Sequence, residues 1–368
     1  MVLDSPFSTL ELPTALWVVP VADLGGVARH VLDVAKVGLP GWDLVVVCPD
    51  GALADRLRAL GTEVISGPFG PDAGFRASTR LLRGAIRRAR PAVLHSHLSY
   101  ADVICAWVLA AKPNLLLVTT EHGIAADDSV YHGSMLKSRL KACLHHIRLW
   151  RADVIIAVSE ATRLAMIAKW HPAGSIRVMP NGVAAMAEFS PAPIREGVGS
   201  GPHILSLSRL SPEKGIPALL TAFATVKRLE NGATLTIAGS GPQEDELVAL
   251  VRQLALEGAV NFVGFVDPQL AMRNADVLVQ LSVWENCSYT ILDAIGAGLG
   301  VVATPVGGNP EILPPRCLVD FNNTDAIAKT ILDQAVNDDR RPILPTGWPD
   351  VSAMVHKIVG CYVPRNLQ

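Results

Sequence analysis

Charge is scarce in this chain of 368 residues: only 18% are Asp, Glu, Lys or Arg, and the formal net charge is -2. Nucleic-acid binders usually carry a strong basic excess, so that class of partner is excluded. Low charge with 50% hydrophobic residues also excludes wholesale disorder. The six cysteines (Cys48, Cys105, Cys143, Cys287, Cys317, Cys361) form no C-x-x-C pair. They read as reduced, buried thiols of a cytosolic protein, not as a disulfide framework. Met1–Thr14 has acids and prolines but no basic start and no apolar core, so no secretion leader is expected. Long apolar runs are missing too. Ala101–Thr120 comes nearest, and Lys112-Pro113 splits it into pieces too short to cross a bilayer.

What is present is alternation. Ala15–Pro20, Leu44–Cys48, Ala92–Leu94, Leu115–Thr119, Val154–Val158 and Ile176–Met179 are short and uniformly apolar, as strands buried on both faces are. Helical patterns separate them at Gly26–Val37, Ala52–Leu60, Ser78–Ala89 and Ala161–Ala168. Ala184–Pro202 is rich in Ala, Pro and Gly and has no period, which marks a linker. The rhythm then restarts with strands at His203–Leu207, Ala233–Ala238, Val260–Val263, Val277–Gln280 and Gly300–Ala303. Helices are expected at Ile216–Leu229, Glu244–Leu256 and Tyr289–Ala297. The fold class is α/β, with two tandem Rossmann-like, doubly wound parallel-sheet domains at 1–183 and 203–345. Residues 346–368 add a helix near Asp350–Gly360 whose pattern leaves its docking partner open, a return to the first domain included. The halves differ in charge: residues 1–190 balance to +3 and residues 191–368 to -5.

Ligands of such folds sit at the carboxyl ends of strands, so chemistry is sought in the strand-to-helix loops. Gly25 and Gly26 open a helix after the first strand, where backbone amides can approach an anion. They do not form G-x-G-x-x-G, and neither half supplies that fingerprint, which argues against a nicotinamide oxidoreductase. Arg209 and Lys214 share one loop of the second half, a fork and a point charge suited to a diphosphate. The run Glu285-Asn286-Cys287-Ser288-Tyr289-Thr290 leads from a strand into a helix. Ser288 is the candidate N-cap, which leaves the amides of Tyr289 and Thr290 free toward a ligand. Asp293 lies in the second turn, and Glu311 is expected to add a third acid to the cleft. In the first half, His95 and His97 close one strand and Glu121-His122-Gly123 closes another. A His there can polarise a reacting group. The H-x-H pair has the side chains for a metal but shows no third ligand spacing.

Together these residues resemble the nucleotide-sugar-dependent glycosyltransferases of the GT-B fold, the retaining family four. The resemblance rests on S-R-L-x-x-E-K-G at Ser208–Gly215, G-x-G-P at Gly239–Pro242, V-G-F at Val263–Phe265 and G-G-N-P-E at Gly307–Glu311. The element from Glu285 to Asp293 and, in the first half, Gly25-Gly26, E-H-G, Ala152–Glu160 and Pro180-Asn181-Gly182 complete it. It implies a central cleft between the domains and transfer of a sugar to an acceptor hydroxyl with retention, in polysaccharide, glycolipid or small-glycoside biosynthesis. A UDP-sugar is the expected donor and no metal is required. Arg209 and Lys214 would neutralise the diphosphate, Glu285 would touch the donor sugar and Asp293 the ribose. Backbone around Cys287–Thr290 would hold sugar and phosphates, Phe265 would lie near the base, and His122 would line the reaction centre. Gly26 would let the first domain close over the pyrophosphate. The family has Glu where this chain has Asp293, and usually Gly where it has Asn286, a change that could tune the donor sugar. The first departure keeps an alternative open: a weakened nucleotide-sugar-binding or scaffold protein of the same fold.

The acceptor stays unassigned. Lys137, Arg139, Lys141, Arg148 and Arg151 interleave with Leu136, Leu140, Leu144, Ile147 and Leu149. Such a stretch reads either as a surface helix packed on the sheet or as a peripheral contact with anionic lipid at the inner face of the cell membrane.

Overall fold

The structure, a computed structural model, describes residues 12–362 apart from 111, 113, 125–143 and 184–200. The first sheet holds β1 (Thr14–Val18), β2 (Asp43–Cys48), β3 (Glu63–Ser66), β4 (Val93–His97), β5 (Leu116–Glu121), β6 (Val154–Ala157) and β7 (Ile176–Val178). Their order in space is β3-β2-β1-β4-β5-β6-β7, all parallel. The second sheet holds β8 (His203–Leu207), β9 (Thr234–Ala238), β10 (Val260–Gly264), β11 (Val277–Gln280) and β12 (Gly300–Ala303). It is parallel in the order β10-β9-β8-β11-β12. Helices α1 (Gly26–Val37), α2 (Ala52–Ala59), α3 (Phe75–Ala89), α4 (Ser99–Leu109), α5 (144–151) and α6 (Glu160–Trp170) accompany the first sheet. The second takes α7 (Ile216–Leu229), α8 (Glu244–Gln253), α9 (Pro268–Arg273), α10 (Tyr289–Gly296), α11 (Asn309–Ile312) and α12 (Thr324–Val336). The last helix is α13 (Val351–Val359).

Strand β1 shows why its run is apolar throughout. Ala15 and Trp17 enter the core under α1, α2 and α13, while Leu16 and Val18 enter the opposite core under α3 and α4. Both faces are covered, so period-two polarity has no use. The same division holds in the second sheet, with Ile204 under α7 and Leu205 under α10. Edge strand β3 escapes a reading from pattern because Glu63-Val64-Ile65-Ser66 is short and only partly buried. The segment Ala101–Thr120 contains α4 and β5, two core elements joined by a turn. Among the described residues no helix is long and apolar enough to cross a membrane. Most of the expected linker, residues 184–200, lies outside the described residues.

Helix α13 packs on α1 of the first sheet, with Met354, Val355 and Ile358 in the same core as Trp17. Asp350 caps it by accepting from the Ala353 amide at 2.7 Å. Beyond it, the Tyr362 hydroxyl accepts from Trp17 Nε1 at 2.8 Å and lies 2.8 Å from His95 Nδ1. The other ring nitrogen, His95 Nε2, lies 2.7 Å from Thr120 Oγ1, so both nitrogens of this ring have a hydroxyl partner. Tyr362 is thereby tied into the first sheet by a buried relay of hydrogen bonds. Tyr362→Phe leaves two buried nitrogens unpaired and is expected to cost about 1–3 kcal/mol of unfolding free energy. Chemical denaturation measures it, and a midpoint equal to the wild type's removes the relay from the account.

Candidate functional site

Strand order reverses between β1 and β4 in one sheet and between β8 and β11 in the other. The crevices of a doubly wound fold lie at the carboxyl ends of those strands. The loop after β8 carries Arg209, exposed, and then a tight turn at Pro212–Lys214. Lys214 Nζ donates to Glu285 Oε1 from the loop after β11, and Ser282 Oγ donates to the same oxygen at 2.8 Å. Two glycines make these loops possible. A Cβ on Gly239 would stand 1.9 Å from the Ser208 carbonyl oxygen, and one on Gly307 would stand 1.6 Å from that of Glu285. Both glycines have positive φ, 132° and 53°. They let neighbouring loops cross at backbone distance, which fixes where Arg209 and Glu285 emerge.

Ser288 is the N-cap of α10, its side chain accepting from the Ile291 amide at 3.3 Å. The amides of Tyr289 and Thr290 then form the open, electropositive end of the helix. Across the cleft, Gly25 and Gly26 begin α1, and a side chain at either would meet nothing within 4 Å. Phe265 follows β10 with 72% of its surface exposed. The structure therefore brings Lys214, from the loop that also carries Arg209, onto Glu285, in the loop that leads into α10.

Several residues serve differently from the reading of their types. Asn286 Oδ1 accepts from the Ile124 amide at 3.3 Å and from Thr162 Oγ1 at 3.0 Å, so this oxygen straps the second domain to the first and is not free for a donor sugar. Glu311 does not add a third acid to the pocket. Its two oxygens accept from the Glu160 and Ala161 amides at 2.9 and 2.8 Å, capping α6 from the other domain. The Cys287 carbonyl is taken by Asn181 Nδ2 at 2.8 Å. Arg148, expected on a basic surface, is buried: it bonds Asp102 and, at 2.6 Å, Glu121, and its guanidinium lies 4.8 Å from the Trp170 ring centre. Burial pushes the Glu121 carboxyl up while Arg148 opposes that shift. This buried cluster fixes the residue next to His122. Arg151 likewise turns inward, to Asp153 at 3.1 Å. Lys137, Arg139 and Lys141 lie outside the described residues.

His122 meets His97 and His30, which pattern reading had not joined: His97 Nδ1 is 2.9 Å from His122 Nε2, and the His30 and His122 rings are 4.9 Å apart. These three form the described set with donors for a metal, their ligand atoms within 4.8 Å of one another. Tetrahedral zinc draws imidazole nitrogens to about 3.4 Å apart. Here His97 is bonded to His122 and His30 to the Tyr289 hydroxyl instead, with His30 Nε2 and His97 Nε2 left unpartnered. Burial holds all four imidazoles neutral, pushing His30 down to about 4 and His95, His97 and His122 well below the usual range. In the unfolded chain each titrates near about 6.5, so below that pH the unfolded state binds more protons and stability falls with pH. Each such histidine is expected to remove up to about 1.4 kcal/mol per pH unit between about pH 6.5 and 4. Urea unfolding across that range checks it, and His95→Gln should flatten the slope by one such increment; an unchanged slope contradicts the assignment.

Comparison with known proteins gives this geometry a family. The chain matches the model of glycosyl transferases group 1 over residues 195–342 and that of glycosyltransferase family 4 over residues 24–185. It is 31% identical to a GDP-mannose-dependent alpha-(1-6)-phosphatidylinositol monomannoside mannosyltransferase of Mycobacterium tuberculosis, over 78% of each chain. It is 28% identical to that organism's glycogen synthase, over 88% of this chain and 86% of the relative. Among solved structures it superposes on sucrose-phosphate synthase of Thermosynechococcus elongatus with a TM-score of 0.77 at 20% identity, covering 97% and 99% of the two chains. For Anabaena HepE in complex with UDP the TM-score is 0.71 at 22% identity, over 94% and 98%. With a GT-B architecture and both family models matched in order, this chain belongs to the glycosyltransferases of family 4.

Proposed function

We propose that this glycosyltransferase moves a sugar from a nucleoside-diphosphate donor, a UDP-sugar in the first instance, to an acceptor hydroxyl with retention at the anomeric carbon. The observation that carries the reading is the Lys214–Glu285 pair, which joins the loop that carries Arg209 to the loop that leads into α10. Departure of the diphosphate breaks the bond from its oxygen to the anomeric carbon and leaves negative charge on that oxygen. Lys214, Arg209 and the amides of Tyr289 and Thr290 are placed to receive that charge. Glu285 is placed to accept from donor-sugar hydroxyls while Lys214 holds it oriented. Retention requires the acceptor oxygen to bond on the face the diphosphate leaves. The departing oxygen then stands nearest the acceptor proton and can take it. No step in this scheme calls on a bound metal.

The curated relatives act on a phosphatidylinositol mannoside and on glycogen, so neither a lipid nor a polymer acceptor is favoured by likeness alone. An exposed stripe on α5, Leu144, Ile147 and Trp150, supports peripheral contact with a membrane. Trp150 is 80% exposed. The lipid-facing element would be apolar rather than basic, since Arg148 and Arg151 point inward. Co-sedimentation with phosphatidylglycerol vesicles is expected to capture the protein, and Trp150→Ser to reduce capture several-fold; a variant that sediments like wild type refutes the contact.

A screen of nucleotide-sugars for release of nucleoside diphosphate identifies the donor. On that donor, Lys214→Ala and Arg209→Ala are each expected to lower kcat/KM by about 10²–10³-fold with the fold intact. Undiminished turnover in both variants overturns the reading.

A further inference from the structure

The ionic contact across the cleft that sequence motifs did not announce is made by Arg29. Its guanidinium leaves α1 and reaches α10 of the other domain, with Nη1 3.0 Å from Asp293 Oδ2 and Nη2 3.3 Å from Asp293 Oδ1. Its Nε is held at 2.8 and 2.7 Å from the two oxygens of Asp33, one helical turn along α1. The guanidinium carbon lies 5.3 Å from the ring centre of Tyr289, the first residue of α10. Beside it, the Tyr289 hydroxyl meets His30 Nδ1 at 3.3 Å. Arg29 is thus oriented from its own helix and presented, as a planar fork, to one carboxylate of the second domain.

Asp293 is where this chain departs from the family's Glu. A carboxylate one methylene shorter ends nearer α10, and the long Arg29 side chain meets it there. Each oxygen gives one lone pair to the fork, which leaves one on each for other donors. Two acceptors on one carboxylate match the vicinal hydroxyls of a ribose. We propose that Arg29 is a positioning residue for the donor: by gripping Asp293 from the opposite domain it sets that carboxylate to receive the ribose hydroxyls, so ribose recognition is complete only in the closed cleft. The inference rests on the proposed reading of Asp293 as the ribose contact and deepens it.

The charge state of Asp293 depends on the same grip. Burial pushes its carboxyl up, and Arg29 opposes the shift. Asp33, with Lys36 behind it on α1, and Tyr289 and His30 beside the pair are the other titratable groups facing this spot, with Cys287 next to Tyr289. Burial keeps His30 neutral down to about 4 and holds Tyr289 protonated well above its usual range, so neither changes charge near neutral pH. Without Arg29 the Asp293 carboxyl moves further up. The carboxylate that accepts from ribose then forms only at higher pH, and the acid limb of binding shifts upward.

Calorimetry on the full chain with UDP and GDP, each against its 2′-deoxy counterpart, tests this. Wild type is expected to favour the ribonucleotide, and Arg29→Ala to weaken ribonucleotide binding about tenfold while leaving the deoxy form within about twofold, so that discrimination collapses. Arg29→Lys should restore part of the discrimination, and it serves also should the alanine variant fold poorly. In the alanine variant the acid limb of ribonucleotide binding should move to higher pH, and Asp293→Asn should abolish that limb. Discrimination lost in Asp293→Asn but kept in both Arg29 variants overturns the positioning role alone. Discrimination kept in Asp293→Asn overturns the ribose reading, and with it this inference. No binding of either nucleotide to wild type overturns both.

Discussion

The segment Glu285–Asp293 has to satisfy two domains at once, and the rest of the site follows from that constraint. On one side Glu285 and the first amides of α10 face the crevice at the ends of β8 and β11. On the other, Asn286, the Cys287 carbonyl, Tyr289 and Asp293 are bonded to Ile124, Thr162, Asn181, His30 and Arg29 of the first domain. A buried polar group without a partner is costly, so each of these bonds favours the closed arrangement of the cleft. Glu311 adds to it by capping α6 across the same boundary. The pocket is therefore shaped by contacts that hold the domains together, and opening it must break a defined set of hydrogen bonds.

Charge in this cleft is arranged by burial and pairing more than by net balance. The second half is the acidic one, yet it holds Arg209, Lys214 and the start of α10, the cations and helix end of the proposed donor site. The first half, mildly basic, turns Arg148 inward onto Asp102 and Glu121 and sends Arg29 across to Asp293. Its buried histidines, His97 and His122 among them, are kept neutral by burial and add no cations there.

Much of the fold was legible because strands buried on both faces leave a plain mark. Trp17 and its neighbours read as a strand for the same reason that they pack into two cores. The short edge strand at Glu63–Ser66 was not legible, since a half-exposed four-residue strand has neither an apolar run nor a clean alternation. Arg209, Lys214 and Glu285 were legible as residue types in two strand-to-helix loops, and Ser288 as the cap of α10. The roles of Asn286 and Glu311 were not, because their partners lie 124 and 162, and 150 and 151, residues away in sequence, and nothing local distinguishes a ligand contact from an inter-domain bond.

The sequence alone determined two doubly wound parallel sheets and placed the functional loops at strand ends, because burial periodicity and turn chemistry are local properties of the chain. Its motifs also carried the family. Only the tertiary structure decided which charges meet. It paired Arg29 with Asp293, gathered His30, His97 and His122 from three separate elements, and returned Tyr362 to Trp17 and His95. Those encounters depend on how two domains and a distant chain end pack together, and hydrogen bonds of 3 Å between residues hundreds of positions apart leave no periodic trace in the sequence.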